Sequence, residues 1–218
     1  MWLAAHLPGW VTPDFCTGTG IIGAMVIMSG YMLSRISPEF LWIASLGFII
    51  NWFGDSLDGT LARYRNIERH KYGYFVDHAV DVLNEMLILV GLGLSLYVRL
   101  DLACLVLCLY LMLSILVFLR TFTNREFNVS FNRLGPTEMR IGLILLNTIM
   151  YFGGLRIITV SHSVFGQITF SLYDPVIALS ILVMLFIFIS TMIRESIFLA
   201  KTDLPEYPER RINRGNGG

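Results

Sequence analysis

Charge is what this sequence has least of. Asp, Glu, Lys and Arg make up 15% of its 218 residues, against about a quarter in a soluble domain. Hydrophobic residues account for 55% and the mean hydropathy is +0.66, which excludes an ordinary soluble enzyme. Cysteine is almost as scarce. Cys16, Cys104 and Cys108 all fall in apolar stretches, are expected to be buried packing residues, and provide neither a disulfide framework nor a zinc site. The opening "MWLAAHLPGWVTPDF" lacks a basic region and is broken by Pro8 and Pro13, so it does not read as a cleavable signal peptide. It reads as a short interfacial helix with Trp2 and Trp10 as headgroup-level anchors. There is no internal repeat, no second domain and no feature that calls for a nucleic-acid partner.

What is present is a series of continuous apolar runs. Six segments, roughly 15–37, 39–62, 73–98, 101–121, 136–158 and 174–200, are long enough to cross a bilayer, which takes about 20 residues. The runs do not alternate with period two, so helices are expected in place of a barrel. The predicted fold is an all-α integral membrane protein with six transmembrane helices and an N-terminal interfacial helix. Residues 1–200 form one membrane domain. Residues 201–218 form a polar tail, "TDLPEYPERRINRGNGG" in its last part, expected to be disordered. Of 16 Lys and Arg, 13 fall on one side of these spans, leaving only Arg35, Arg99 and Arg156 on the other. The positive-inside rule makes the first side cytoplasmic, with both termini on it.

The stretch "GDSLDGTLARYRNIERHKYGYFVDHAVD", residues 54–81, lies on that side. Asp55, Asp58, Gly59 and Ala62 are spaced i, i+3, i+4, i+7 and share one helical face. Asp77 and Asp81 share a face of the next helix. A polar link, roughly residues 63–72, joins the two as a hairpin, so four carboxylates converge at one helical end. Such carboxylates repel one another in a low dielectric and need either protons or a cation between them. All-oxygen ligation suits Mg²⁺, Mn²⁺ or Ca²⁺. Gly59 and Ala62 leave room beside the acids, and Arg63 stands ready for a phosphate. Solvated charges at helix ends are the plainer alternative. Four acids on matching faces favour cation–phosphate chemistry instead, with phosphoryl-type transfer at a bound pyrophosphate.

The same residues resemble the signature of the CDP-alcohol phosphotransferase (CDP-alcohol phosphatidyltransferase) family, D-x-x-D-G-x-x-A-R, eight or nine residues, then G-x-x-x-D-x-x-x-D. Here Asp55, Asp58, Gly59, Ala62, Arg63, Gly73, Asp77 and Asp81 occupy every fixed position. Pro13 and Thr17 in "TPDFCTGTG" also match the family's first helix, often P-N-x-x-T, with Asp14 in place of Asn. The resemblance implies a six-helix homodimer that transfers a substituted phosphate from a CDP-linked donor to an alcohol and releases CMP. It implies two divalent ions, Mg²⁺ or Mn²⁺, on Asp55, Asp58 and Asp77 with Asp81 contributing. It implies a nucleotide pocket at Asp58, Gly59, Ala62, Arg63 and Gly73, and Asp81 as general base. Spacing alone does not separate the base from the ligands.

Donor and acceptor are less legible. "REFNVSFNR" resembles the R-E-F-x-x-S-x-x-R stretch of phosphatidylglycerophosphate synthases, in which basic residues serve an anionic acceptor. Arg120, Arg125, Arg133 and Arg140 lie in or beside it, and guanidinium forks suit phosphate. An ordinary positive-inside loop has the same look. "GPTEMRI" is closer to a stretch of the eukaryotic choline/ethanolamine phosphotransferases, and Asp77-His78 resembles their "FDHGxD". That comparison turns Glu138 and His78 toward the active site; otherwise Glu138 is a first-turn acid at a helix start and His78 an interfacial residue. Compact chains of about this length are typical of the CDP-diacylglycerol users, so that donor is expected, with CDP-choline or CDP-ethanolamine transfer to a lipid alcohol as the alternative. A transporter with an acidic membrane site would carry its acids nearer mid-membrane, and an inactive scaffold would be free to lose an aspartate. Small residues Gly18, Gly20, Gly23, Gly91 and Gly93 are expected at helix contacts. Residues 161–175 read as an external loop.

Overall fold

The computed structural model describes residues 2–124, 136–162 and 166–203. A short helix α1 (Trp2–His6) precedes six long ones: α2 (Pro13–Leu33), α3 (Phe40–Tyr64), α4 (His70–Leu94), α5 (Leu100–Asn124), α6 (Pro136–Gly153) and α7 (Asp174–Thr202). Between α6 and α7 lies an antiparallel hairpin, β1 (Ile157–His162) with β2 (Gly166–Ser171), in register from Ile157 opposite Ser171 to His162 opposite Gly166. The expected external loop is thus partly a two-stranded ribbon. The helices otherwise agree with an all-α membrane protein. Four of them, α2, α3, α5 and α7, are long and apolar enough to cross a membrane. In α4 the acids Asp77, Asp81 and Glu85 interrupt the apolar run.

Local sequence explains where the helices begin and end. Thr12 caps α2, its hydroxyl accepting from the Phe15 amide at 3.1 Å, and Pro13 opens the first turn where its missing N–H costs nothing. The α3–α4 link is shorter than expected. It spans only residues 65–69, so Arg63 lies in the last turn of one helix and Gly73 in the first turn of the next. The chain reverses there through Asn66 at φ 54°, the left-handed region that asparagine enters more readily than most residues.

Helices α2 and α3 form the tightest pair, because glycine removes the side chains between them. A Cβ on Gly54 would stand 2.5 Å from the Gly20 nitrogen, and one on Gly23 would collide with the Asn51 backbone. Among membrane helices such close approach supplies the packing that expulsion of water supplies elsewhere. The main core gathers Ile27, Tyr31, Phe48, Leu92 and Met150. At its centre Tyr31 donates to Asn147 (2.9 Å), whose amide donates to Ser45 (3.1 Å), linking α2, α6 and α3. Each such bond contributes on the order of 0.6 kcal/mol. Away from the hairpin site, buried Asp174 accepts from the Arg99 amide (3.1 Å) and the Ser171 amide (2.7 Å), tying α7 to β2 and to the start of α5.

Two expectations need correction. Of the cysteines only Cys16 is buried; Cys104 and Cys108 are exposed on the outer face of α5, whose few neighbours leave most of its surface open. Among the glycines, Gly20 and Gly23 face α3, Gly91 lies against Met28, and Gly93 against Leu100 and Ala103, but Gly18 faces open space.

Candidate active site

The site forms where the last two turns of α3 face the first turns of α4, with the start of α2 on one side and α6 on the other. Asp58 is held from two directions. Its Oδ2 accepts from the Thr17 hydroxyl at 2.8 Å and its Oδ1 from the Gly59 amide at 2.6 Å. Asp55, one turn back on α3, pairs through Oδ2 with Arg140 Nη1 of α6 at 2.8 Å. On α4, ligand atoms of Asp77, His78 and Asp81 lie within 4.8 Å of one another. All four aspartates are half-buried, and Asp55 lies within charge–charge range of Asp58, Asp77 and Asp81.

These residues fit a divalent cation. The donors are mainly carboxylate oxygens, as hard ions prefer, and Asp77 and Asp81 are one turn apart with their oxygens already close. His78 adds a nitrogen to this group; its Nδ1 lies 3.2 Å from Asp77 Oδ2. The His78 ring packs between Tyr74, at 4.3 Å between centroids, and Phe118, at 5.4 Å. Its orientation is therefore set by aromatic contacts on both sides.

The residues expected to line a nucleotide pocket are arranged as follows. The Arg63 guanidinium folds back beside Gly59, where a Cβ would make only ordinary contact with Arg63 Nη1 at 3.5 Å. Ala62 is half-buried and Arg63 exposed. Gly73 meets nothing within 4 Å of where a Cβ would be. The link between the two helices is clamped to the N-terminus. Arg69 grips both oxygens of Asp14 at 2.8 Å, which raises the Arg69 guanidinium above its usual range. Arg65 donates to the carbonyls of Leu7 (3.2 Å) and Pro8 (2.9 Å), among others. Asp14, a departure from the family's asparagine, thus has a definite partner.

The expected acceptor residues separate. Arg140 enters the acidic site, while Arg120 pairs with Glu195 of α7 at 2.7 Å. Glu138 is exposed at the start of α6. Arg125 and Arg133 lie outside the described residues. Three site residues were not foreseen in the sequence. Asn51 lies one turn before Asp55 on α3. Glu85 continues the Asp77, Asp81 row by one further turn and lies within charge range of Arg140. Tyr110 of α5 lies within charge range of Glu85 and Asp81. The i+4 continuation from Asp81 to Glu85 was visible in the sequence; the other two needed the helix packing.

An apolar cavity of about 260 Å³ opens beside the acids, lined by Trp10, Phe15, Cys16, Phe53 and Leu57 among others. Gly54 and Leu57 of its wall adjoin Asp55 and Asp58 in sequence.

A sequence model described as CDP-alcohol phosphatidyltransferase matches residues 10–169. No curated protein and no solved structure matches the chain. The matched range includes every carboxylate of the site and ends before α7.

Proposed function

The chain belongs to the CDP-alcohol phosphatidyltransferase family, and from that premise we propose that it uses CDP-diacylglycerol as donor and a small polar alcohol as acceptor. The protein is a phosphotransferase of phospholipid biosynthesis, moving a phosphate group from a CDP-alcohol to an alcohol at a membrane. Members of the family generally use divalent metals. The observation that carries metal-dependent phosphotransfer, whichever the donor, is the approach of Asp55 and Asp58 on α3 to Asp77 and Asp81 on α4, with Thr17 and Arg140 fixing two of the four; the compact length of the chain supports CDP-diacylglycerol as that donor.

Two ions, Mg²⁺ or Mn²⁺, on these aspartates would neutralise the donor pyrophosphate and make CMP an acceptable leaving group. The acceptor hydroxyl oxygen forms a bond to the phosphorus that carries the lipid. The bond from that phosphorus to the bridging oxygen breaks, and CMP leaves with the electron pair. Asp81 takes the hydroxyl proton. Asp58, Gly59, Ala62, Arg63 and Gly73 line the nucleotide pocket, and the cavity next to Leu57 suits an acyl chain. Arg125 and Arg133 serve an anionic acceptor.

A second reading is favoured by His78, which stands in the acidic cluster with Asp77 and Asp81. It has CDP-choline or CDP-ethanolamine as donor, a lipid alcohol as acceptor, and Glu138 and His78 at the acceptor. Purified protein with Mg²⁺, offered CDP-diacylglycerol and CDP-ethanolamine in parallel with a panel of acceptors, separates the two by CMP release. Turnover only with CDP-ethanolamine would replace the first reading by the second.

The membrane arrangement belongs to the same proposal. All six long helices span the bilayer, α1 lies in its interface, and both termini and the acidic site are cytoplasmic, in keeping with the bias of Lys and Arg. Residues 1–200 are the catalytic domain and 201–218 a cytoplasmic tail. The functional unit is a homodimer, as the family resemblance implies. Labelling of single cysteines placed in the α3–α4 link and in the β1–β2 ribbon tests the orientation; native mass spectrometry tests the dimer.

A further inference from the structure

Asn51 is 1% exposed, belongs to no motif, and makes two hydrogen bonds that only an asparagine in one orientation can make. Its Oδ1 accepts from Arg140 Nε at 3.0 Å, and Arg140 has only donors. Its Nδ2 donates to the Gly20 carbonyl at 2.9 Å, which only accepts. The two partners therefore fix which way the amide points. Held at Nε, the Arg140 guanidinium presents Nη1 to Asp55 Oδ2 at 2.8 Å. Arg140 is itself largely buried, with 14% of its side chain exposed. A continuous path runs from the backbone of α2 through Asn51 and Arg140 to the carboxylate of Asp55.

We propose that Arg140, oriented by Asn51, is a positioning residue that sets the Asp55 carboxylate toward the cation site, and is not a ligand for the acceptor. This rests on the metal-site reading above. One Asp55 oxygen is engaged by the guanidinium, which restricts rotation of the carboxylate and leaves the other oxygen for a cation. Groups that orient a metal-binding side chain typically matter about 10–100-fold in metal affinity or activity. The geometry also gives α6 a role in the site: its first turns, through Arg140, brace an acid on α3.

The test keeps the charge and removes the geometry. In Arg140→Lys the charge remains but the fork that joins Asn51 to Asp55 is lost. In Asn51→Leu the arginine stays but is no longer held. Mn²⁺ binding to detergent-solubilised protein is read directly by electron paramagnetic resonance without substrate, alongside kcat, the acceptor KM and the thermal unfolding midpoint. Arg140→Lys, the variant less liable to disturb packing at Gly23, is expected to bind Mn²⁺ about tenfold more weakly and to lose kcat by a similar factor, with acceptor KM within about twofold. Asn51→Leu should do the same if it folds. Unchanged Mn²⁺ binding in Arg140→Lys overturns the proposal, and a raised acceptor KM alongside it makes Arg140 an acceptor ligand. Wild-type protein that binds Mn²⁺ but releases no CMP from any donor would sink the functional reading alone. Wild-type protein that binds no Mn²⁺ would sink both.

Discussion

Thr17 on α2 donates its hydroxyl to Asp58 on α3 across 2.8 Å, joining residues 41 positions apart. The contact exists because glycines let α2 and α3 approach until a short side chain can cross between them. Asp58 is thereby held on one oxygen by Thr17 and on the other by its neighbour's amide. Thr17→Val keeps the shape and removes the donor. It should lower kcat/KM about tenfold, equivalent to the loss of a hydrogen bond to a charged group, while Thr17→Ser should retain most activity. Equal activity in all three proteins would deny Thr17 any part in the site.

Asp81→Asn keeps the size of the side chain and removes its basicity. CMP release should fall by about 10²–10⁴-fold, the range of a lost general base. The variant should elute as a monodisperse species and still bind a CDP-containing ligand, measured by equilibrium dialysis. Retained turnover would assign the proton transfer elsewhere, with His78 the first residue to examine.

Chelation should abolish CMP release, and Mg²⁺ or Mn²⁺ should restore it. The four aspartates repel one another without a cation between them, so the metal should also raise the thermal unfolding midpoint of the wild-type protein. In Asp77→Asn that rise should shrink. A midpoint indifferent to metal in the wild type would argue that the carboxylates are merely solvated.

Gly54→Ala should damage the fold. Its Cβ would stand 2.5 Å from the Gly20 nitrogen and 2.6 Å from the Cys16 carbonyl oxygen, and backbone cannot yield as a flexible side chain can. Overpacking of this kind costs about 1–3 kcal/mol, seen as a lower unfolding midpoint in detergent. Gly18→Ala, facing open space, should be neutral or slightly stabilising, because alanine is the better helix former. Equal midpoints for the two variants would contradict the close α2–α3 contact.

Much of this protein follows from composition and spacing. Long apolar runs with little charge require helices in a membrane, since backbone polar groups there must be satisfied within the segment. Carboxylates at i, i+3 on one helix and i, i+4 on the next share faces whatever surrounds them. That is why Asp55, Asp58, Asp77 and Asp81 could be grouped before any coordinates, and why their spacing resembled one family.

What the tertiary structure decided is which groups meet those faces. Nothing in the local sequence of Asn51 distinguishes it, and the local sequence of Arg140 suggested an acceptor ligand, because the contacts that join them to α2 and to each other come from residues 31 and 89 positions away. The row of small residues suggested close packing, yet only packing separates Gly23, pressed against Asn51, from Gly18, where a Cβ would meet open space. The pairing of residues 157–162 with 166–171 was missed because a two-stranded ribbon needs its partner strand to satisfy its backbone, although Ile158, Val160, Ile168 and Phe170 alternate with Thr159, Ser161, Gln167 and Thr169 as strand residues do. Spacing along a helix is a local property set by covalent geometry. The partners of a side chain depend on how helices approach one another, and only the folded chain determines that.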